Sequence, residues 1–249
     1  MALEKILAMQ RQAIKSLAPA PQNLPKSDRN FLAALKSSLI KPAVIAELKP
    51  KSPSEGVLAQ VQYDPEIQAK CYEEGGAAAL SVLTEGHFFN GKFADLTLAR
   101  EATHLPVLCK DFILDLNQVK WARDAGADAC LLIVAALDQP QLIALKKEIE
   151  SYDMLAVIEV HTEVELMRAL QSQPEIILIN NRNLWDLSMH PETTAHLLPL
   201  IPEGVPVISA SGFTTPEAIK ALPFRINAVL VGTQLMREGD PRLFLQQLG

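Results

Sequence analysis

Eight short apolar runs recur along the chain, at 43–48, 79–83, 106–109, 129–134, 154–158, 176–179, 205–209 and 228–231. Segments with helical spacing lie between them, at 64–74, 93–101, 116–125, 138–150, 162–171, 191–198, 215–222 and 240–248. The runs are continuously apolar rather than alternating, the pattern of strands covered on both faces in a parallel sheet. Eight strand–helix units within 249 residues predict an α/β fold, a single (β/α)8 TIM barrel spanning 41–249. A doubly wound sheet would usually need fewer strands and a nucleotide fingerprint, and neither GxGxxG nor a P-loop motif is present.

Residues 1–40 form the expected N-terminal helical extension. Residues 2–16 place Leu3, Ile6, Leu7 and Ile14 roughly on one side. Pro19, Pro21 and Pro25 then break the chain, and Asp28 is the expected cap of a short helix over Phe31, Leu32 and Leu35. A net charge of -6 without a Lys/Arg cluster argues against a nucleic-acid partner. Cys71, Cys109 and Cys130 form no CxxC pair, which suits a reducing compartment. The N-terminus lacks a signal-peptide core, and the longest apolar run, 129–137, is too short to cross a bilayer. The expectation is a cytoplasmic protein with no membrane partner, present as a monomer or weak homodimer.

In such a barrel the active site lies at the C-terminal ends of the strands. The first run leads into VIAELKPKSPSEG, where Glu47 and Lys49, two residues apart, project from one face. The third run ends in Lys110 and Asp111, the fifth in Glu159, the sixth in Asn180, Asn181 and Arg182. The seventh ends in Ser209, Ser211 and Gly212, and the eighth in Gly232 and Thr233. Each residue alone is open to a structural reading: Lys110 can snorkel, Glu159 can sit in water, Asn180 can cap a loop. Two lysines, two glutamates, an asparagine and an arginine at one end of one barrel point instead to a site.

Ser211, Gly212, Gly232 and Thr233 follow strands seven and eight, where barrels often hold phosphate on backbone N–H groups. The alternative is that both glycines serve tight turns. Lys110 and Glu159 suggest proton transfer, with burial lowering the lysine's pKa and Glu47 and Glu159 raising it again, toward an acid usable near neutral pH. Lys49 and Arg182 suit a substrate carboxylate. The five histidines show no metal-ligand spacing; His161 follows Glu159 by two residues, but one pair is not a site. No GxSxG elbow is present.

The stretches IAELKPKSPSEG, SVLTEGHFFNGKFADL, PVLCKDFILDLNQV, ADACLLIVAAL, VIEVHTEVEL, INNRNL, SASGFTTPEAI and VLVGTQLM together resemble the indole-3-glycerol phosphate synthase family, in order over about 40–240. The resemblance implies ring closure, decarboxylation and dehydration of 1-(2-carboxyphenylamino)-1-deoxyribulose 5-phosphate in tryptophan biosynthesis, without a cofactor. It implies Lys110 as general acid, Lys49 as substrate-binding and acid–base residue, and Glu159 as counter-charge or proton acceptor. Glu47 and Asn180 would orient these groups. Ser52 and Arg182 would act at the mouth, and Phe89 would pack on the anthranilate ring. Ser211, Gly212, Gly232 and Thr233 would bind phosphate, and the N-terminal extension would help cover the mouth.

Three positions depart from the family pattern. Ala210 stands where the family usually has Glu, Leu178 where it has Gly, and Lys92 where it has Ser. Leu178 is expected to fill the space left at 210. Two other readings follow from these departures: a divergent paralogue acting on another aryl-amino sugar phosphate, or a weakly active phosphate-binding pseudoenzyme.

Overall fold

The computed structural model describes residues 2–17, 19–58 and 63–249. Eight parallel strands close into a barrel: β1 (Ala43–Leu48), β2 (Ala79–Leu83), β3 (Val107–Lys110), β4 (Ala129–Ile133), β5 (Leu155–Val160), β6 (Ile177–Asn180), β7 (Val207–Ala210) and β8 (Ala228–Val231). Each pairs with its sequence neighbours, and β8 closes on β1 through Ala43↔Ala228 to Ala46↔Val231. Nearly every strand residue is buried, which is why the runs read as continuously apolar.

The helices are α1 (Ala2–Ser16), α2 (Phe31–Ser37), α3 (Pro65–Glu74), α4 (Phe93–Ala102), α5 (Leu116–Asp124), α6 (Gln139–Ser151), α7 (Glu163–Gln171), α8 (Glu192–Leu197), α9 (Pro216–Lys220), α10 (Thr233–Arg237) and α11 (Pro241–Gln246). Their starts are written in the sequence. Asp64 caps α3 ahead of Pro65, Thr162 caps α7, and Asp115 with Gln118 and Asp138 with Gln141 form capping boxes. Among the described residues no helix is long and apolar enough to cross a membrane.

Several boundaries differ from the expectation. β5 runs to Val160, because the pairing of β5 with β4 and β6 carries the strand past the polar Glu159. β7 starts two residues late, at Val207, since Pro206 has no N–H to give the ladder. Asn30 rather than Asp28 caps α2, its side chain accepting from the Ala33 N–H at 2.8 Å; Asp28 instead pairs with Arg100. Two features were not expected: α10, and a small antiparallel hairpin of Lys51–Ser52 with Gly56–Val57 that folds the loop after β1.

The N-terminal segment serves both ends of the barrel. α1 buries Leu3, Ile6 and Leu7, and its Gln10 donates to Asp111 Oδ1 at 2.8 Å, just beyond β3. α2 packs on β1 and β2, and its Leu35 lines a hollow with Pro42, Ile176 and Pro206, the residues that precede β1, β6 and β7.

Candidate active site

A cavity of about 420 Å³ opens at the C-terminal ends of the strands. Glu47, Lys49, Ser52, Phe89, Lys110, Asn180, Arg182, Ser211, Gly212, Gly232 and Thr233 all line it. Of the residues expected from the sequence, Glu159 does not; it is 1% exposed and sits behind Asn180. Its influence on the cavity passes through its charge and through that hydrogen bond.

The core of the site is an ion cluster. Lys49 Nζ lies 3.0 Å from Glu47 Oε2, and Lys110 Nζ lies 3.5 Å from Glu47 Oε1. Burial pushes the Glu47 carboxyl up, but Lys49 and then Lys110 outweigh it, and the group ends below the usual carboxylate range. For Lys110, burial pulls the ammonium down, yet Glu47 and then Glu159 carry it above the ordinary lysine value. That corrects the expectation of an acid poised near neutrality. In this structure Lys110 is held as an ammonium, able to donate to a group that becomes strongly basic.

Asn180 ties the second half of the site together. Its Nδ2 donates to Glu159 Oε1 at 3.1 Å, while its Oδ1 accepts from Ser211 Oγ at 2.8 Å and from the Arg182 N–H at 3.0 Å. Ser211 and Gly212 are both in the left-handed region, at φ 70° and 91°. The Ser211 hydroxyl is committed as a donor to Asn180. Gly232 answers a need that a tight turn alone does not explain: a Cβ there would lie 2.1 Å from Glu47 Oε2 and 3.1 Å from Lys49 Nζ. Absence of a side chain at 232 is what lets the β1 ion pair form.

The mouth is built from loops. Glu55, beside the small hairpin, reaches Arg182 at 3.6 Å and Arg237 at 2.8 Å. Phe89 lies 6.3 Å, centroid to centroid, from Phe112, and Ile6 of α1 adds an apolar wall. Ala210 lines the cavity opposite Asn180, whereas Leu178 lies a layer deeper, opposite Ile208. The room beside Ala210 thus opens into the cavity.

Sequence reasoning missed two buried acids' surroundings. Glu85, just past β2, accepts from the backbone N–H groups of His87, Phe88 and Phe89 at 2.7–3.1 Å and so shapes the loop that carries Phe89. His161 lies 3.2 Å from Glu159 and 3.0 Å from Glu165, so the pair set aside in the sequence is a real contact. Residues i and i+2 of a strand share a face, but the contact also needs β5 to run on to Val160 and α7 to bring Glu165 back, which an apolar run ending at 158 does not announce. Asp111, Asn181 and Ser209 point elsewhere. Asp111 bonds Thr84 and Gln10, while Asn181 and Ser209 share hydrogen bonds with Thr194.

The barrel superposes on 3-hexulose-6-phosphate synthase from Salmonella typhimurium with a TM-score of 0.67, covering 83% of this chain and 96% of that one; at 12% identity the likeness concerns the fold. An indole-3-glycerol phosphate synthase of Parafrankia sp. is 44% identical over 96% of this chain and 89% of its own length. One from Polaromonas sp. is 43% identical over 99% and 97%. The sequence model of indole-3-glycerol phosphate synthase matches residues 3–248, and the chain belongs to that family.

Proposed function

We propose that the chain converts 1-(2-carboxyphenylamino)-1-deoxyribulose 5-phosphate to indole-3-glycerol phosphate, carbon dioxide and water, with Lys110 as the general acid. The observation that carries this reading is the convergence of Lys110, Lys49 and Glu47 on one cavity wall beside the turns at Ser211–Gly212 and Gly232–Thr233. In the reaction, the ring carbon bearing the carboxylate attacks the ribulose carbonyl carbon while Lys110 protonates the carbonyl oxygen. The ring nitrogen then carries positive charge. Loss of carbon dioxide returns the electron pair to the ring, and loss of the new hydroxyl as water, with a ring proton, completes the indole.

Each step asks for charge in a particular place. Lys49 and Arg182 suit the substrate carboxylate. The carboxylate of Glu159 opposes the cationic intermediate from behind Asn180, while Glu47 orients the two lysines. Phe89 offers a face to the aromatic ring. The turns after β7 and β8 present backbone to the phosphate.

The test is steady-state product formation, followed by indole fluorescence, for the wild type beside Lys110→Ala. The expected loss is about 10²–10⁴-fold, the usual contribution of a positioned acid. A folded wild type that makes no product, or a Lys110→Ala variant with undiminished turnover, overturns the proposal.

A further inference from the structure

We propose that His161 is a positioning residue for Glu159: its imidazolium, gripped by Glu165, supplies the buried positive charge that keeps Glu159 an oriented carboxylate. The inference rests on the function proposed above, in which Glu159 works as an anion. It begins from geometry. His161 Nδ1 lies 3.0 Å from Glu165 Oε2, and the same oxygen accepts from the His161 backbone N–H at 2.8 Å. A carboxylate only accepts, so Nδ1 carries the proton. His161 Nε2 then faces Glu159 Oε1 at 3.2 Å. The contact does not meet hydrogen-bond geometry, but at this distance a protonated Nε2 attracts the carboxylate and a bare lone pair would repel it.

Among the described residues no other cation stands within ion-pair distance of Glu159. Glu159 Oε1 takes one hydrogen bond, from the neutral Asn180, and Glu159 Oε2 has no hydrogen-bond partner although it is buried. An ionised carboxylate so placed is costly unless a cation stands beside it. Lys110, on β3, acts on it at longer range but pairs with Glu47. On its outer side His161 borders a second cavity with Asn183, Trp185, His190, Glu192 and His196. There His190 is held by Glu192 at 3.2 Å and His196 by Glu163 at 2.7 Å. The electrostatic balance points the same way. Burial pulls the His161 imidazolium down, but Glu159 and Glu165 outweigh burial and raise it to about 9. Burial pushes Glu159 up, and His161, ahead of Lys110 and Asn180, brings it below the usual carboxylate value.

Two measurements test this. In the wild-type chain, a ¹⁵N NMR titration of the His161 ring should find both nitrogens protonated at pH 7, with a midpoint near pH 9. Glu159→Gln should lower that midpoint by at least about one pH unit, since it removes one of two flanking charges. In the kcat/KM profile of His161→Gln, which keeps a donor amide but loses the charge, the acid limb should move up by at least about one pH unit. A ring that is neutral at pH 7 overturns the proposal. So does a His161→Gln variant whose activity falls while its acid limb stays in place, because a purely structural role would do that. Should the wild type make no indole-3-glycerol phosphate, the proposed function fails, and the ring titration still decides the charge on His161.

Discussion

Two buried glutamates stand on opposite sides of the same barrel mouth, and they are kept ionised by different means. Glu47, at the end of β1, is held between two lysines at 3.0 and 3.5 Å that themselves line the cavity. Glu159, at the end of β5, is held by a histidine and an asparagine, and it stays out of the cavity. The β1 end therefore presents cations to a ligand and uses its carboxylate to hold them. The β5 end presents a neutral amide and keeps its charges in a second layer. A cationic intermediate would be stabilised from the β5 side and an anionic group bound from the β1 side, so the asymmetry matches a substrate that carries a carboxylate and passes through a cation.

The comparison breaks most sharply at Gly232. An alanine there places its Cβ 2.1 Å from Glu47 Oε2, so the Glu47–Lys49 pair must shift while the β5 end is untouched. A displacement of about 1 Å in such a group costs on the order of 10²-fold in rate. Gly232→Ala should therefore lose about 10²-fold in kcat/KM while the His161 titration is unchanged. A variant with near-normal turnover would mean that the β1 ion pair does not position the acid.

The two ends also differ in how they couple stability to pH. Glu47 and Glu159 both have folded values below the ordinary 4.5, so their contribution is present above that value and lost as pH falls through the folded one. Lys110 is raised above 10.5, so its contribution is lost only at more alkaline pH than that. His161 is raised from 6.5 to about 9. Its contribution is whole below pH 6.5 and lost as pH rises through 9. Between those values the wild type should lose about 2 kcal/mol of stability, the scale of a charge-assisted contact. His161→Gln should start lower at pH 6 and stay flat to pH 9, the two curves converging. Melting temperatures across this window measure it, and parallel curves would refute it.

How much of this was legible in the chain follows the same division. The barrel was readable because strands covered on both faces leave continuous apolar runs, and the capped helices between them leave Asp, Thr and Pro at their starts. Lys49, Lys110 and Arg182 were readable because a charge ending an apolar strand in a barrel faces the mouth. His161 was not, because its meaning depends on Glu165, brought back by the first turn of α7, and on a strand end that the apolar count had placed at 158. Glu85 was missed because strand two was read without a polar terminus, and its partners are backbone N–H groups that no side-chain pattern announces. Gly232 was read for its turn, whereas its main constraint is the Glu47 carboxylate of a strand nearly two hundred residues away.

The smallest effect should come from the one contact here that involves neither glutamate. Gln10 of α1 donates to Asp111 Oδ1 at 2.8 Å, beside the strand that carries Lys110. Burial raises the Asp111 carboxyl to about 6, against hydrogen bonds from Thr84, Phe112 and Gln10. α1 is also held by buried Leu3, Ile6 and Leu7, so Gln10→Ala removes a tether and leaves the helix docked. The loss of stability should be about 1 kcal/mol. Because Ile6 is part of the cavity wall, KM should rise a few-fold, roughly what a loosened apolar contact costs, with kcat unchanged. A fall in kcat as large as that of Gly232→Ala would instead make α1 part of the catalytic geometry, and the contrast between the β1 and β5 ends would then have to include that helix.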